Sequence, residues 1–259
     1  DEHWVLFNTS PDIRAQLESF PEMHPQGGMR GTGISAIILA DSQIDHTTGM
    51  LMLREGCPLP VYVTDMVQED LTTGFPIFSI LKSWNGGLDI HRLATDEKPF
   101  TIPGIDGIEF TAVPIDGKAP PYSPHRHDPH VGDNLGFYIR DIATDQSVFY
   151  SPGLAAVTDH VRGYMEKSTC VMVDGTFWCE DEMSLSGVGT KKASDMGHLP
   201  QSGEDGMLKQ LEGLPEETRK VLIHINNTNP ILIEDSPERK ILDDLNVEVA
   251  YDGMRLIFE

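Results

Sequence analysis

The segment that decides the fold is Ile34-Ser35-Ala36-Ile37-Ile38-Leu39-Ala40, which runs directly into Asp41-Ser42-Gln43-Ile44-Asp45-His46-Thr47-Thr48-Gly49. The first part is mostly aliphatic and too short for a typical helix, so it predicts a buried strand. The second part holds two carboxylates, an amide and an imidazole within six residues. The Thr-Thr-Gly and the apolar run behind it predict the start of a helix with hydroxyl caps. Polar groups at the end of a buried strand are typical of a metal or catalytic site.

Length and composition indicate a globular, water-soluble protein. The chain has 259 residues, of which 39% are hydrophobic, and no apolar run approaches the roughly 20 residues that span a bilayer. The formal charge of −22 disfavours nucleic acid and anionic membranes as partners. The three cysteines, Cys57, Cys170 and Cys179, are odd in number and widely spaced, which favours buried thiols in a reducing cytoplasm. No signal peptide is visible, so we expect a cytoplasmic protein.

Strand-like and helix-like segments follow one another without a linker or a repeat, which predicts a single domain over residues 1–259. Some strands follow each other as a meander and others are separated by helices, so we expect an α/β (α+β) fold with two mixed sheets and outer helices. The predicted strands are 4–7, 34–40, 59–64, 108–113, 135–140, 147–150, 170–173, 220–224, 247–251 and 254–258. The predicted helices start at Ser10, after Gly49, at Asp65, at Leu154, at Glu204 and at Ser236.

Three buried-strand segments end in residues that can carry chemistry: the Asp41–His46 segment, Asp174 and His224. If these strands are neighbours, their carboxyl ends meet in one cleft. Asp45, His46 and His224 would then give the two imidazoles and one carboxylate of mononuclear non-haem Fe(II) sites, although Zn(II) accepts the same ligands. The alternative is that Asp45 caps the following helix and His46 is an interior histidine with an ordinary hydrogen bond.

Further candidates lie on loops. The proline-rich segment 119–134 contains three histidines, which suit a metal site, a substrate-contacting loop or lid, or a plain surface loop. From it we single out Tyr122, His125 and His127 as substrate contacts. His198 suits a general acid–base role, since imidazole titrates near neutral pH, but a structural hydrogen bond is an equal alternative. Asn226 and Asn227 would orient a substrate or form Asx turns.

The hexad Asp41-x-Gln43-x-Asp45-His46 stands where metallo-β-lactamase-fold proteins carry His-x-His-x-Asp-His. Almost end to end, the chain resembles the pyrroloquinoline quinone biosynthesis protein B (PqqB) family of that superfamily. The matching segments are Asn8-Thr9-Ser10-Pro11-Asp12-Ile13-Arg14, 41–49, 119–134, Asp174-Gly175-Thr176-Phe177-Trp178, Met196-Gly197-His198-Leu199-Pro200 and 224–230.

This resemblance implies a metallo-β-lactamase-like αββα sandwich and a role in making the redox cofactor PQQ. Family members are thought to hydroxylate the tyrosine moiety of a Glu–Tyr cross-linked precursor with iron and dioxygen. Carried over residue by residue, Asp45, His46 and His224 would bind Fe(II). We add His198 and Asp174 as catalytic candidates from the interpretation of the loops above. Asp41 and Gln43 replace the two histidines of a first zinc site, so a dinuclear centre is not expected. These two residues would contact the metal ligands and not the metal.

The resemblance also implies an N-terminal strand and a cysteine cluster with a structural zinc. Neither is found in these residues, so we expect an N-terminus that is truncated or partly disordered. Two rival functions stay open: a zinc hydrolase on the same fold, with Asp41 or a loop histidine completing its site, and a carrier that binds finished PQQ for transport without chemistry. The partners implied are the dipeptide-derived precursor and dioxygen, and the sequence is compatible with a homodimer or with contacts to other pathway enzymes.

Overall fold

The computed structural model describes residues 3–24 and 32–258, and it divides into two compact units. Unit 1 comprises residues 1–114, 118–135 and 252–257. Unit 2 comprises residues 115–117, 136–251 and 258–259. Each unit carries its own sheet, and the single domain expected from the sequence stays a prediction.

Unit 1 contains a sheet of four parallel strands, which are neighbours in the order in which they occur in the chain. These strands are β1 (Trp4–Phe7), β2 (Ile34–Ile38), β3 (Leu59–Val63) and β4 (Leu88–Arg92), and β5 (Ile108–Pro114) follows them. The helices are α1 (Ile13–Glu18), α2 (Ile44–Thr47), α3 (Asp65–Asp70) and α4 (Ile77–Leu81), and a 3-10 helix covers Thr48–Gly56.

The predicted central strand is confirmed as β2, and its apolar run explains why it forms. Ile37, Ile38 and the following Leu39 have no exposed surface, as expected for a parallel strand covered on both faces. Ile37 and Leu39 belong to an apolar cluster that β3, α3 and α4 complete with Val61, Val67 and Leu81 among others. This packing fixes the position at which β2 ends and its polar residues begin.

Unit 2 contains β6 (Leu135–Asp141), β7 (Ser147–Ser151), β8 (Cys170–Asp174), β9 (Arg219–Ile223) and β10 (Val247–Val249). Its helices are α5 (Asp159–Glu166), α6 (Glu182–Leu185), α7 (Ala193–Met196), α8 (Met207–Glu212) and α9 (Pro237–Asp244). The spatial order is β10-β9-β8-β7-β6, with β6 antiparallel to β7 and all other pairs parallel. The inner strands β8 and β9 therefore end side by side, and the residues after them meet.

The structure corrects several predicted boundaries. The helix expected after Gly49 begins earlier, at Ile44, and continues as a 3-10 helix from Thr48. The cap of α3 is Thr64 and not Asp65, because the Thr64 hydroxyl accepts the amide hydrogen of Val67. The starts of α1, α5 and α8 lie three to five residues later than predicted, at Ile13, Asp159 and Met207. Strand β4 was not predicted, and the described residues 254–258 form no strand.

In the part of the chain that the structure describes, no helix has the length and apolar character needed to cross a bilayer. All three cysteines are free thiols; Cys57 and Cys170 are buried and Cys179 is half-buried. Burial raises the pKa of each thiol, that of Cys170 to about 11, so the three stay protonated at neutral pH. They pack as small apolar groups.

Candidate metal centre

In unit 1, Asp41 lies shortly after strand β2 and holds the His46 imidazole in a fixed orientation. His46 Nδ1 lies 2.7 Å from Oδ1 and 2.9 Å from Oδ2 of Asp41. Both side chains are buried. An ionised carboxylate only accepts hydrogen bonds, so Nδ1 donates its proton and the lone pair of the ring lies on Nε2. Metal-ligating histidines usually have this arrangement, with one ring nitrogen on a carboxylate and the other on the metal.

The backbone around His46 is fixed by the segment that follows β1. The Thr9 amide donates to the His46 carbonyl at 2.6 Å, and the Thr9 hydroxyl donates to the same oxygen at 3.2 Å. Asn8 Oδ1 accepts the Ala40 amide at 2.9 Å, directly before the polar cluster. Gly49 donates its amide to the Thr9 carbonyl at 3.1 Å. These hydrogen bonds connect the main chain of α2 to the segment that follows β1, and they fix the backbone position of His46.

Asp45 and Gln43 differ in their surroundings. Asp45 is exposed and lies in the first turn of α2. It does not cap that helix, because the N-cap residue is Gln43 and no side chain makes the capping hydrogen bond. The Gln43 amide donates to Asp41 Oδ1 at 2.9 Å, so one carboxylate orders both the helix start and the imidazole. The capping role that was the alternative for Asp45 is therefore not observed.

Tyr122 reaches the same segment from the proline-rich loop. Its hydroxyl donates to the carbonyl of Ser42. Burial raises the pKa of Tyr122, and the charges of Asp41, Asp70 and Asp45 raise it further. The phenol therefore stays protonated at neutral pH and keeps its role as a hydrogen-bond donor.

In unit 2, Asp174 at the end of β8 is the centre of a hydrogen-bond network. Its side chain is fully buried. Oδ2 accepts the Leu154 amide at 2.9 Å and lies 2.7 Å from His198 Nδ1. Oδ1 accepts both the amide of Thr176 at 3.0 Å and the hydroxyl of Thr176 at 2.6 Å. With four hydrogen bonds from donors, this carboxylate is fixed in position and can accept a hydrogen bond from His198 Nδ1.

Thr176 in turn holds His224, the residue after β9. The Thr176 hydroxyl lies 2.8 Å from His224 Nδ1 and 2.9 Å from the His224 carbonyl oxygen. Since the hydroxyl hydrogen is used on Asp174, the oxygen accepts from Nδ1, and the ring lone pair lies on Nε2. His224 has a φ of 57°, a left-handed conformation that is uncommon for a residue other than glycine. The strained backbone and Thr176 together fix its direction.

His198 and His224 lie face to face in unit 2. Their ring centroids are 5.5 Å apart with an interplanar angle of 21°. With Asp174 they form a group whose possible ligand atoms lie within 4.8 Å of one another. The structure thus brings three predicted site residues together within this unit, on the loops that follow two neighbouring strands.

The predicted substrate contacts differ in their exposure and in their hydrogen bonds. Asn226 donates through Nδ2 to the Thr228 hydroxyl at 2.5 Å and faces the Met183 sulfur at 3.7 Å, so its amide holds the loop together. Asn227 and His127 are exposed. His125 is held among carboxylates, 2.8 Å from Asp133 Oδ1. The structure tests none of these residues with a substrate, and their contacts stay predictions.

Four residues that position the site were not predicted from the sequence: Thr9, Asp70, Asp133 and Thr176. For Thr176, a signal was present, since it follows Asp174 by two residues on the loop after a buried strand. For Asp133, the nearby histidines were the signal. Thr9 and Asp70 gave none, because their roles depend on contacts with distant residues of the chain.

Comparison with known proteins identifies the family. Residues 3–225 match the model of the beta-lactamase superfamily domain. The coenzyme PQQ synthesis protein B of Pseudomonas fluorescens (strain Pf0-1) is 60% identical over 255 residues, which are 98% of this chain and 84% of the relative. The protein of the same name from Methylococcus capsulatus (strain Bath) is 56% identical over 257 residues, covering 99% of this chain and 84% of the relative.

Solved structures agree with this assignment. The crystal structure of Zn²⁺-bound PqqB from Methylobacterium extorquens superposes with a TM-score of 0.88 at 32% identity, covering 99% of this chain and 84% of that one. A diphosphatase of the PhnP family, at 17% identity and a TM-score of 0.60, covers 98% of this chain and 79% of its own, and shares the fold alone. The predicted fold, with two sheets and flanking helices, is confirmed. The chain therefore belongs to the coenzyme PQQ synthesis protein B family and has the metallo-β-lactamase fold of its superfamily.

Proposed function

We propose that this protein acts in the biosynthesis of PQQ as an iron- and dioxygen-dependent hydroxylase of the tyrosine moiety of a Glu–Tyr cross-linked precursor. The family assignment supports the pathway. The orientation of two imidazoles supports the metal-dependent chemistry: His46 and His224 are each held through Nδ1, which places the lone pair on Nε2.

In this proposal, Asp45, His46 and His224 bind Fe(II), with one carboxylate oxygen and two Nε2 atoms. This donor set fits the metal, because two imidazoles and one carboxylate are the ligands of non-haem Fe(II) oxygenases. Bound iron would supply the activation of dioxygen. Asp41 and Gln43 do not contribute a second metal site; the Asp41 carboxylate is already used by His46 Nδ1 and by the Gln43 amide.

His198 is the proposed acid–base residue. Its Nδ1 donates to the buried carboxylate of Asp174, so the ring can accept the phenolic proton of the substrate at Nε2 while Asp174 stabilises the resulting imidazolium. Asp174 is fully buried and bonded to Leu154 and Thr176, which fixes the direction of the imidazole. We propose the exposed His127 and Asn227 as polar contacts of the precursor, together with the predicted Tyr122 and Asn226. The predicted contact His125 is left out of this proposal, because its Nε2 lies 2.8 Å from Asp133 Oδ1 and its Nδ1 faces Glu69 Oε2.

The reaction needs a source of electrons besides dioxygen. Converting an aromatic C–H bond into C–OH uses one oxygen atom, and the second oxygen atom leaves as water after taking up two electrons and two protons. An external two-electron reductant is therefore part of the proposal. The three thiols of the chain are poorly suited to supply these electrons, since burial raises the pKa of each and keeps it in the less reactive protonated form.

The test is anaerobic reconstitution of the protein with Fe(II) or Zn(II), followed by oxygen uptake with the Glu–Tyr precursor and ascorbate as reductant. We expect uptake with iron only, and a product heavier by whole oxygen atoms. His224→Ala should lose metal and activity together. His160→Ala, an exposed histidine on α5, is the matched control and should keep both. Full activity of His224→Ala would refute the ligand assignment.

A second candidate function is a carrier that binds finished PQQ without chemistry. It is favoured by one observation: Asp41 stands where the family's fold carries a catalytic histidine, and it is used to hold His46. Stoichiometric binding of PQQ, with no oxygen uptake under either metal, would support the carrier and exclude the hydroxylase.

A further inference from the structure

Outside the proposed iron site, unit 1 contains a second group of histidines and carboxylates on the proline-rich loop. His125, His130 and Asp133 offer ligand atoms that all lie within 4.8 Å of one another. Asp70, the last residue of α3, joins them, with its Oδ1 3.8 Å from His125 Nε2. Asp70, Asp133 and the His125 side chain are nearly inaccessible, with exposed fractions of 1%, 1% and 9%.

The carboxylate of Asp70 has an unused acceptor that points into this group. Its Oδ2 accepts the Ser42 hydroxyl at 2.6 Å. Its Oδ1 is buried and has no hydrogen-bond donor among the residues that the structure describes. A buried carboxylate oxygen is destabilising unless a hydrogen-bond donor or a cation lies next to it. This oxygen indicates that a positively charged ligand belongs here.

The charges of the group lead to the same conclusion. Two buried carboxylates, Asp70 and Asp133, share one buried imidazole, and Nε2 of His125 lies 2.8 Å from Asp133 Oδ1. Because a carboxylate only accepts, Nε2 of His125 donates to Asp133 Oδ1, and a metal ion bound at Nε2 would replace that proton. Nδ1 faces Glu69 Oε2 at 3.9 Å and would keep the other ring proton. Two buried carboxylates around one imidazole are a donor set that favours a cationic ligand.

We propose that His125, Asp133, Asp70 and His130 bind a second divalent transition-metal ion, with Zn²⁺ as the probe of choice. Two imidazoles and two carboxylates form a four-coordinate set that zinc accepts. The ring of His130 is perpendicular to that of His125 with centroids 5.0 Å apart, and its side chain is exposed and free to turn inward.

This ion would have a structural role. Asp70 is bonded to the Ser42 hydroxyl, and Tyr122, from the same loop as His125, donates to the Ser42 carbonyl. Ser42 directly follows Asp41, which holds His46. A cation on Asp70 and His125 would therefore anchor the loop that carries the proposed iron ligands, while taking no ligand from it.

The experiment measures bound zinc per chain after chelation, reloading with Zn²⁺ and gel filtration of the whole protein. Asp70→Asn and His125→Gln should each bind one equivalent fewer than the unmodified protein. The same single loss should appear when these changes are made in the His224→Ala background, so the result does not depend on the proposed iron site. The matched control is His91→Gln, which removes an exposed histidine beside Asp89 and should leave the count unchanged.

Because Asp70→Asn changes a buried residue, a second variant keeps the test valid if that protein fails to fold. His130→Ala alters an exposed side chain and leaves its backbone amide on Asp133 Oδ2. We expect it to weaken zinc binding at this site about 10- to 100-fold and to reduce the rise in Tm that zinc produces. Unchanged zinc stoichiometry and affinity in His130→Ala and His125→Gln would show instead that His125 is an imidazolium that neutralises the two carboxylates, and would overturn the proposal.

Discussion

His46 in unit 1 and His224 in unit 2 are oriented through the same ring atom by different partners. A buried carboxylate holds His46 Nδ1 at 2.7 Å, and a threonine hydroxyl holds His224 Nδ1 at 2.8 Å. The carboxylate gives its imidazole an acidic partner, the arrangement that metal-ligating histidines usually have. The hydroxyl supplies direction only, since its own proton is used on Asp174. The comparison shows that an imidazole can be oriented as a metal ligand with or without a charged partner at Nδ1.

The largest expected effect concerns the backbone that supports each histidine. A Cβ at Gly49 would lie 2.9 Å from the Thr9 carbonyl oxygen and closer still to that of Ser10, whereas one at Gly175 would lie 3.0 Å from the Ile223 carbonyl oxygen. We expect Gly49→Ala to lower the free energy of unfolding by about 3 kcal/mol and Gly175→Ala by about half as much. Urea denaturation measures both. Equal losses of unfolding free energy would mean that the backbone near His46 is packed no more closely than the backbone near His224.

The next largest effect tests how much the charge of Asp41, the partner of His46, contributes to metal affinity. Asp41→Asn keeps an oxygen near Nδ1 but removes the negative charge, so we expect metal affinity to fall about 10- to 100-fold. Competition titration with a chromogenic chelator measures it. Asp89→Asn, at the exposed His91 pair, is the control and should have no effect. Unchanged affinity in Asp41→Asn would show that the charge of Asp41 contributes nothing beyond direction.

Thr176→Val tests how much the orientation of the His224 ring alone contributes to metal binding. The substitution keeps the size of the side chain and removes the hydroxyl that His224 and Asp174 share. We expect metal affinity to fall about 10-fold, less than for Asp41→Asn, because no charge is lost. Thr176→Ser should restore the affinity. A serine variant as weak as the valine variant would assign the effect to packing of the methyl group.

The smallest effect concerns Thr9. Its hydroxyl bond to the His46 carbonyl is long, at 3.2 Å, while its amide already donates to that oxygen at 2.6 Å. Thr9→Val should therefore cost only about 0.5–1 kcal/mol of stability and leave metal affinity unchanged. Thermal unfolding and chelator competition measure the two quantities. A clear loss of affinity would show that the hydroxyl, and not the amide, sets the position of His46.

The sequence predicted the strands that position the site because they are continuous apolar runs. Strand β2 and the strand that ends at Asp174 lie where their patterns placed them. The helix start after β2 was wrong because Thr47 and Thr48 resemble caps. In the structure their hydroxyls donate back to the carbonyls of Gln43 and Ile44 and cap nothing.

Contacts between distant residues could not be predicted in this way. Thr176 meets His224 because β8 and β9 pair with Asp174 opposite Ile223, and a sequence pattern does not specify that register. Asp70 lies at the end of a short helix and gives no sign of its contact with His125. The alternation at 254–258 predicted a strand, but alternation alone does not supply a partner strand, and the described structure has none there.

The left-handed backbone of His224 has a consequence for engineering this protein. Glycine or asparagine adopts that conformation at less cost than histidine, which stores on the order of 1 kcal/mol of strain there. A selection for thermal stability alone would therefore favour replacing His224, and it would discard the imidazole on which the proposed metal site depends. Variants selected in this way would have a higher thermal stability but would lack a proposed metal ligand. Any stability screen of this family should therefore be paired with a measurement of bound metal.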